Sequence, residues 1–217
     1  MSEARLSVHV GDAATTAIVY PSEGSRATLV LAHGAGAPQT HPWMVAMARA
    51  IAAAGVTVIT FNFLYAEKKK GAPDRAPVLE ATWLAALEAV RMKDPGKRIF
   101  IGGKSMGGRY ATMIAAREGV EVEGLVLLGY PLHPPSQPDR PRIAHLPSVR
   151  APMLFVQGSR DPFGTPDELG PVLKKLPRAR LLVIEGGDHS LATPKKSGVG
   201  LPETMARVAA EIARFTA

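Results

Sequence analysis

The 217-residue sequence contains no cysteine. Disulfides, thiolate metal sites, a cysteine nucleophile and thiol redox switching are therefore excluded, while the compartment stays open on this ground. Aromatic residues make up only 6% of the chain and are not interleaved with Lys or Arg, so nucleic acid is not an expected partner. Long apolar runs are also missing. The longest uncharged stretch, residues 50–66, is interrupted by Gly55 and Asn62, which argues against a membrane span. Residues 1–12 lack the apolar run of a signal peptide, so the expectation is a mature chain starting at Met1 and a cytoplasmic protein.

The composition that remains is that of a globular protein, 46% hydrophobic, at a length suited to one domain. The chain is basic, with 26 Lys and Arg against 19 Asp and Glu. Six short runs, 28–32, 56–61, 99–101, 125–128, 153–156 and 181–184, are rich in Val, Ile and Leu without polar alternation. That is the pattern of strands buried on both faces of a parallel sheet. Between them lie one-sided helical stripes, such as Leu79, Trp83, Leu87 and Val90, or Met205, Val208, Ile212 and Phe215. Strand alternating with helix predicts right-handed crossovers and a three-layer α/β sandwich, a mostly parallel sheet with helices on both faces. Leu6, Val8 and Val10 alternate at period two before a turn at Gly11-Asp12, so an opening hairpin brings the expected count to about eight strands. Prolines at 131, 134, 135, 138, 141, 147 and 152 forbid an ordinary helix there. Residues 131–152 read as a loop or short lid within a single domain spanning 1–217.

The third buried strand runs into Gly103-Lys104-Ser105-Met106-Gly107, followed by the helical stripe of Tyr110, Met113 and Ile114. A serine on a sharp strand-to-helix turn, with glycines two residues to either side, is the pattern of an exposed nucleophile. The competing reading is a phosphate-binding P-loop, which needs glycine at position 98; Arg98 stands there, inside a strand. A serine hydroxyl needs a base, and of the six histidines only His189 directly follows the last strand. Asp161, after the 153–156 run, is the expected partner that orients His189. Asp188 reads as a turn residue and Asp167 as part of a helix start. The expected oxyanion donors are the backbone amides of Met106, at a helix N-terminus, and of Ala35 in His33-Gly34-Ala35-Gly36, with Ala35 preferred over Gly36. His33 itself reads as structural. Lys104 and Tyr65 are expected to contact substrate, and neither a metal nor an organic cofactor is called for.

The order Ser105, Asp161, His189 is that of the α/β-hydrolases. From about residue 29 to 190 the sequence resembles that superfamily. More narrowly it resembles small hydrolase-like proteins related to dienelactone hydrolases, which share a domain with a testis-expressed protein and a subunit of an animal histone-acetyltransferase complex. The stretches that carry the resemblance are His33-Gly34-Ala35-Gly36, Phe61-Asn62-Phe63, Gly103-Lys104-Ser105-Met106-Gly107-Gly108, Gly129-Tyr130-Pro131-Leu132, Gly158-Ser159-Arg160-Asp161-Pro162 and Gly187-Asp188-His189-Ser190. Dienelactone hydrolases use a cysteine where this chain has Ser105, so their lactone chemistry does not carry over. Leu64 stands where a proline is expected after Phe61-Asn62-Phe63.

The reading is thus a serine hydrolase that cleaves an ester, thioester or amide of a small acid through an acyl-enzyme. Because some animal relatives act as complex subunits, the alternative is a non-catalytic interaction module with a basic docking face; the intact triad counts against it. The loops expected at the carboxyl edge of the sheet hold Lys68, Lys69, Lys70, Arg75, Lys104, Arg140, Arg142, Arg150, Arg160, Lys195 and Lys196. Against these stand only Glu67, Asp74, Asp139, Asp161 and Asp188, which predicts attraction of an anionic small-molecule substrate.

Overall fold

A computed structural model describes residues 4–217. The chain runs β1 (Ala4–Val10), β2 (Ala13–Tyr20), β3 (Ala27–Ala32), α1 (Pro42–Ala53), β4 (Thr57–Phe61), α2 (Leu64–Glu67), α3 (Ala76–Lys93), β5 (Arg98–Lys104), α4 (Met106–Ala115), β6 (Gly124–Leu128), β7 (Met153–Gly158), α5 (Pro166–Leu173), β8 (Ala179–Ile184) and α6 (Leu201–Thr216). The eight strands form one sheet in the order β1-β2-β4-β3-β5-β6-β7-β8. The opening hairpin pairs β1 with β2, and β2 joins β4, both antiparallel; every other neighbour is parallel.

Every residue of β3 and β6 is buried, which is why their sequences show no polar alternation. Alternate residues serve opposite faces. In β3, Val30 and Ala32 join a core with Trp83, Leu87, Tyr110, Ile114 and Leu169. Leu29 and Leu31 face the other core, built with Met44, Met47, Ile51, Val208 and Ile212. Helices α3, α4 and α5 thus cover one face, and α1 and α6 the other.

This topology places a crevice. β3 and β5 are adjacent, yet the chain leaves β3 for α1 on one face and leaves β5 for α4 on the opposite face. Two loops that diverge from neighbouring parallel strands open a gap at the carboxyl ends, the usual place for a site in an open α/β sheet. Two local features differ from expectation. β5 continues to Lys104, so the strand reaches Ser105 itself. α2 is a single turn with no periodic signal. Residues 131–152 are irregular apart from a 3₁₀ turn at Leu146–Ser148, and are tied to the body of the domain. There Tyr130 OH donates to the Arg142 carbonyl at 2.7 Å, His133 N to the Phe163 carbonyl at 3.1 Å, and His145 Nε2 lies 2.7 Å from Thr112 Oγ1 on α4.

Because this segment joins the carboxyl end of β6 to the amino end of β7, its last residues lie at the opposite edge. Arg150, expected among the charges at the carboxyl edge, is instead beside Arg178 ahead of β8, whose Nη1 donates to the Arg150 carbonyl at 3.0 Å. Among the described residues no helix is long and apolar enough to cross a membrane.

Candidate active site

Ser105 has φ +50 and ψ −116, a conformation that costs a non-glycine residue free energy and persists only when the surroundings hold it. The surroundings here are glycines. A Cβ on Gly103 would stand 2.6 Å from the Ala32 carbonyl oxygen, and one on Gly107 would stand 2.5 Å from that oxygen and 2.6 Å from the His33 carbonyl oxygen. The motif therefore lets α4 press against the end of β3, and Trp83 of α3 adds a donor, Nε1 to the Gly107 carbonyl at 3.1 Å. Ser105 is half-buried at the N-cap of α4, and the Met106 amide is among the first amides of the helix, which have no intrahelical acceptor.

Asp161 and His189 meet as expected. The imidazole Nδ1 lies 2.8 Å from Asp161 Oδ2 and 3.0 Å from Oδ1. An ionised carboxylate only accepts, so Nδ1 carries the hydrogen and Nε2 is left as the basic nitrogen. Asp161 is 1% exposed, and two further donors hold it: Phe163 N to Oδ1 and Gln157 Nε2 to Oδ2, both at 2.8 Å. The competing acids have other work. Asp188 Oδ1 accepts from the amides of Ser190 and Ala192, shaping the turn, and Asp167 is exposed in the first turn of α5.

The strands bring Ser105 and His189 into one place. Ser105 N donates to the Leu128 carbonyl at 2.9 Å, and the next residue, Gly129, turns at φ +62 directly against the imidazole. A Cβ there would be 3.3 Å from His189 Nδ1 and 2.9 Å from the His189 carbonyl oxygen, so the position requires glycine for both space and conformation. Among the described residues no hydrogen bond joins the Ser105 hydroxyl to the imidazole; such contacts commonly tighten only on substrate binding.

The loop after β3 faces Ser105: a Cβ on Gly34 would be 3.7 Å from that of Ser105. Ala35 is exposed at its tip. His33 behind it is fully buried, and burial pushes its pKa down to about 4, against a smaller opposing effect of its bond to Gly34. The neutral ring donates from Nδ1 to the Gly34 carbonyl at 2.7 Å and accepts at Nε2 from Phe63 N at 3.1 Å. Asn62 and Glu67 complete the support. Asn62 Oδ1 accepts from Gln39 N at 2.9 Å, and its Nδ2 donates to Glu67 Oε2 at 2.8 Å. The Phe61-Asn62-Phe63 stretch thus fastens the loop from its far side.

Two expected substrate contacts are turned toward the protein instead. Tyr65 is buried, and its hydroxyl donates to the Ala35 carbonyl at 2.9 Å; burial, and then the charge of Asp74, push its pKa up to about 12, so it stays a donor. Lys104 Nζ donates to the His189 carbonyl at 3.0 Å and sits 5.3 Å from the centre of the Trp43 ring. Both side chains pin loops of the site, because a buried amine or phenol takes the nearest carbonyl acceptor.

Sequence reasoning missed three contributors. Gln157 directly follows the apolar run 153–156, yet it lies within β7 and is fully buried. The signal was a polar residue at the end of an apolar strand, four residues before the acid. Phe163 packs on the imidazole with ring centres 4.3 Å apart, and Trp43 Nε1 donates to the Ser190 carbonyl at 2.8 Å. Nothing local in the sequence marks either one.

A family model described as "Alpha/beta hydrolase domain" matches residues 25–217. Among curated proteins the chain is similar to ABHD14B of Pongo abelii, which its name gives as a candidate protein-lysine deacylase, with 29% identity over 157 residues covering 70% of each chain. Among solved structures it is similar to a lidless α/β serine hydrolase from Xanthomonas campestris, at TM-score 0.78 and 20% identity over 99% of this chain and 95% of that one. A dienelactone hydrolase from Anabaena variabilis aligns at TM-score 0.74 and 20% identity over 98% and 95%. Est1E from Butyrivibrio proteoclasticus aligns at TM-score 0.78 and 14% identity over 98% of both chains.

Proposed function

The chain belongs to the α/β-hydrolase family, and on that premise we propose that it is a serine hydrolase of small acyl compounds, working through an acyl-enzyme. The observation that carries this reading is the strained Ser105 turn set beside a histidine whose Nδ1 is bonded to a buried carboxylate. Each part has a chemical task. As Ser105 Oγ attacks the substrate carbonyl carbon, His189 Nε2 takes the hydroxyl proton and becomes an imidazolium, which Asp161 stabilises without itself being protonated. The carbonyl oxygen gains the negative charge. The amides of Met106 and Ala35 are the donors for it, and one such donor contributes about 3 kcal/mol to the transition state. Collapse breaks the bond to the leaving group, which receives the proton from His189. A water molecule then repeats the sequence on the acyl-enzyme, releasing the acid and restoring the serine.

Esters, thioesters and amides all fit this scheme. The name of ABHD14B supports the amide, as an acylated lysine, while the basic carboxyl edge supports an anionic substrate. Labelling with a fluorophosphonate probe tests the core of the proposal. Modification of the wild type and its loss in Ser105→Ala are expected; a folded wild type that takes no label overturns it.

A further inference from the structure

Beside the proposed nucleophile lies a group of positive charges with no acidic partner among the described residues, although Arg140 Nη1 donates to Gln137 Oε1 at 3.0 Å. Arg109 is one turn of α4 beyond Ser105, its amide donating to the Ser105 carbonyl at 3.0 Å. Residues four apart share a helix face, and helical side chains lean back toward the N-terminus, so Arg109 occupies the face that begins at Ser105. Its Nε is buried with no hydrogen-bond partner, and its guanidinium carbon lies 5.6 Å from the centre of the Tyr110 ring. Arg142, on the segment packed against α4, is half-buried, and Arg140 is exposed nearby.

None of the ion pairs among the described residues involves Arg109, Arg140 or Arg142. Asp139, the one acid of residues 131–152, is not paired with them. The other titratable neighbours are uncharged near neutral pH. Burial pushes Tyr130 up to about 12, and burial, aided by the charge of Arg109, pushes His145 down to about 4. Burial and then the repulsion of Arg109 lower the pKa of Arg142 as well. A buried guanidinium N–H without an acceptor, among like charges, calls for an anion from outside.

We infer that Arg109 and Arg142, with Arg140 at the rim, bind a carboxylate of the substrate. The inference rests on the hydrolase reading for the word substrate, though not for the anion site. Pro134, Gln137, Arg140, Pro141 and Arg142 line a depression of about 540 Å³ that opens onto Arg140 and Arg142, and Arg109 stands close enough to Arg142 to repel its charge. The backbone there selects the chemistry. Prolines 134, 135, 138 and 141 have no amide, while the amides of Gln137, Arg140 and Arg142 are spent on the carbonyls of Pro134, Gln137 and Leu132. Between 134 and 142 no two consecutive residues keep an unbonded amide, so the backbone forms no nest of successive N–H groups for a tetrahedral phosphate. What remains is planar guanidinium forks, which match the two oxygens of a carboxylate.

The carboxylate belongs either to the acyl chain or to the leaving group, and two pairs of chromogenic esters separate these. The first pair is p-nitrophenyl butyrate and the mono-p-nitrophenyl ester of glutaric acid; the second is p-nitrophenyl butyrate and the butyryl ester of 4-hydroxy-3-nitrobenzoate. At low salt the anionic member of one pair is favoured by about tenfold in kcat/KM, and the pair that responds identifies the source. The anionic-to-neutral ratio falls about tenfold in Arg142→Gln and in Arg109→Gln, but not in Arg160→Gln, which removes an equal charge from the same edge. Arg142 is only half-buried, so its variant decides the matter if Arg109→Gln does not fold. Equal rates within both pairs, or a ratio that survives both substitutions, overturn the inference. If no ester turns over and Ser105 takes no fluorophosphonate, the hydrolase reading has failed, and calorimetric titration with glutarate decides the anion site alone. Binding that disappears in Arg142→Gln supports it, and absence of binding to the wild type overturns it.

Discussion

Gln157 Nε2 donates to Asp161 Oδ2 at 2.8 Å from a side chain with no solvent exposure. The same nitrogen lies 2.7 Å from the Gly164 carbonyl, and Oε1 accepts from Tyr130 N at 2.9 Å. One amide thus joins the end of β7, the turn after β6 and the loop that carries Asp161. Since β6 also sets Gly129 against His189, Gln157 fixes the acid and the base to the same frame.

Replacing Gln157 with Leu keeps the bulk but leaves Asp161 one donor short in a buried place. A hydrogen bond to a charged group is worth about 1.5–3 kcal/mol, so kcat for a neutral ester should fall by about 10- to 100-fold. The rate of fluorophosphonate labelling should fall with it, at unchanged circular dichroism. Labelling at the wild-type rate in a folded Gln157→Leu variant would show that the amide does not serve the acid.

Gly107→Ala should destabilise the protein, because the added methyl meets the Ala32 and His33 carbonyl oxygens at 2.5 and 2.6 Å and backbone cannot rotate away. Overpacking of this kind costs about 1–3 kcal/mol, and here the strain falls on both the serine turn and the loop of Ala35. Gly96→Ala is the contrast. It lies in the exposed turn ahead of β5 with nothing near its Cβ position and no positive φ, so the change should stabilise by about 0.4–1 kcal/mol. Thermal unfolding of the two variants should therefore shift in opposite directions.

His33 links stability to acid. Its pKa is lowered from 6.5 to about 4 by burial, so between these values the unfolded chain binds a proton that the folded chain does not. Stability therefore rises with pH across this window and is lost on acidification, by about 3 kcal/mol when the whole window is crossed. Urea unfolding measured at pH 7 and near pH 4 should show this slope in the wild type. It should be reduced in His33→Gln, which has no ionisable ring. An equal slope in both proteins would place the acid sensitivity elsewhere.

What was legible in the sequence follows from where its signals arise. β3 and β6 are buried on both faces, so burial itself wrote their uninterrupted apolar runs. Ser105 was legible because a strained turn forces glycines at 103 and 107, a local requirement with a local trace. Asp161 and His189 were legible through topology, since each follows a strand end. The support of the site was not. Trp43 reaches Ser190 across 147 positions in the chain, and Lys104 reaches the His189 carbonyl across 85. Such contacts leave no spacing to read, and for this reason Lys104, next to Ser105 in sequence, and Tyr65, just after Phe61-Asn62-Phe63, read as substrate contacts rather than as donors to loop carbonyls. Arg150 was misplaced for a related reason: a loop that crosses from one sheet edge to the other has no mark at its midpoint.

The two long-range contacts on the His189 loop give a last prediction. Trp43 Nε1 holds the Ser190 carbonyl from the α1 side, and Lys104 Nζ holds the His189 carbonyl from the β5 side, with the ammonium 5.3 Å from the indole centre. Lys104→Met retains most of the aliphatic packing and removes the donor; Trp43→Phe does the same on the other side. Each loses one hydrogen bond to a neighbouring carbonyl, worth about 1 kcal/mol, so each should lower kcat/KM for a neutral ester by about fivefold. Because both act on one short loop, and each also contributes to the contact between ammonium and ring, the double variant should lose less than the product of the two effects. Strict multiplicativity in this cycle would mean that the two contacts act independently and do not share one loop motion.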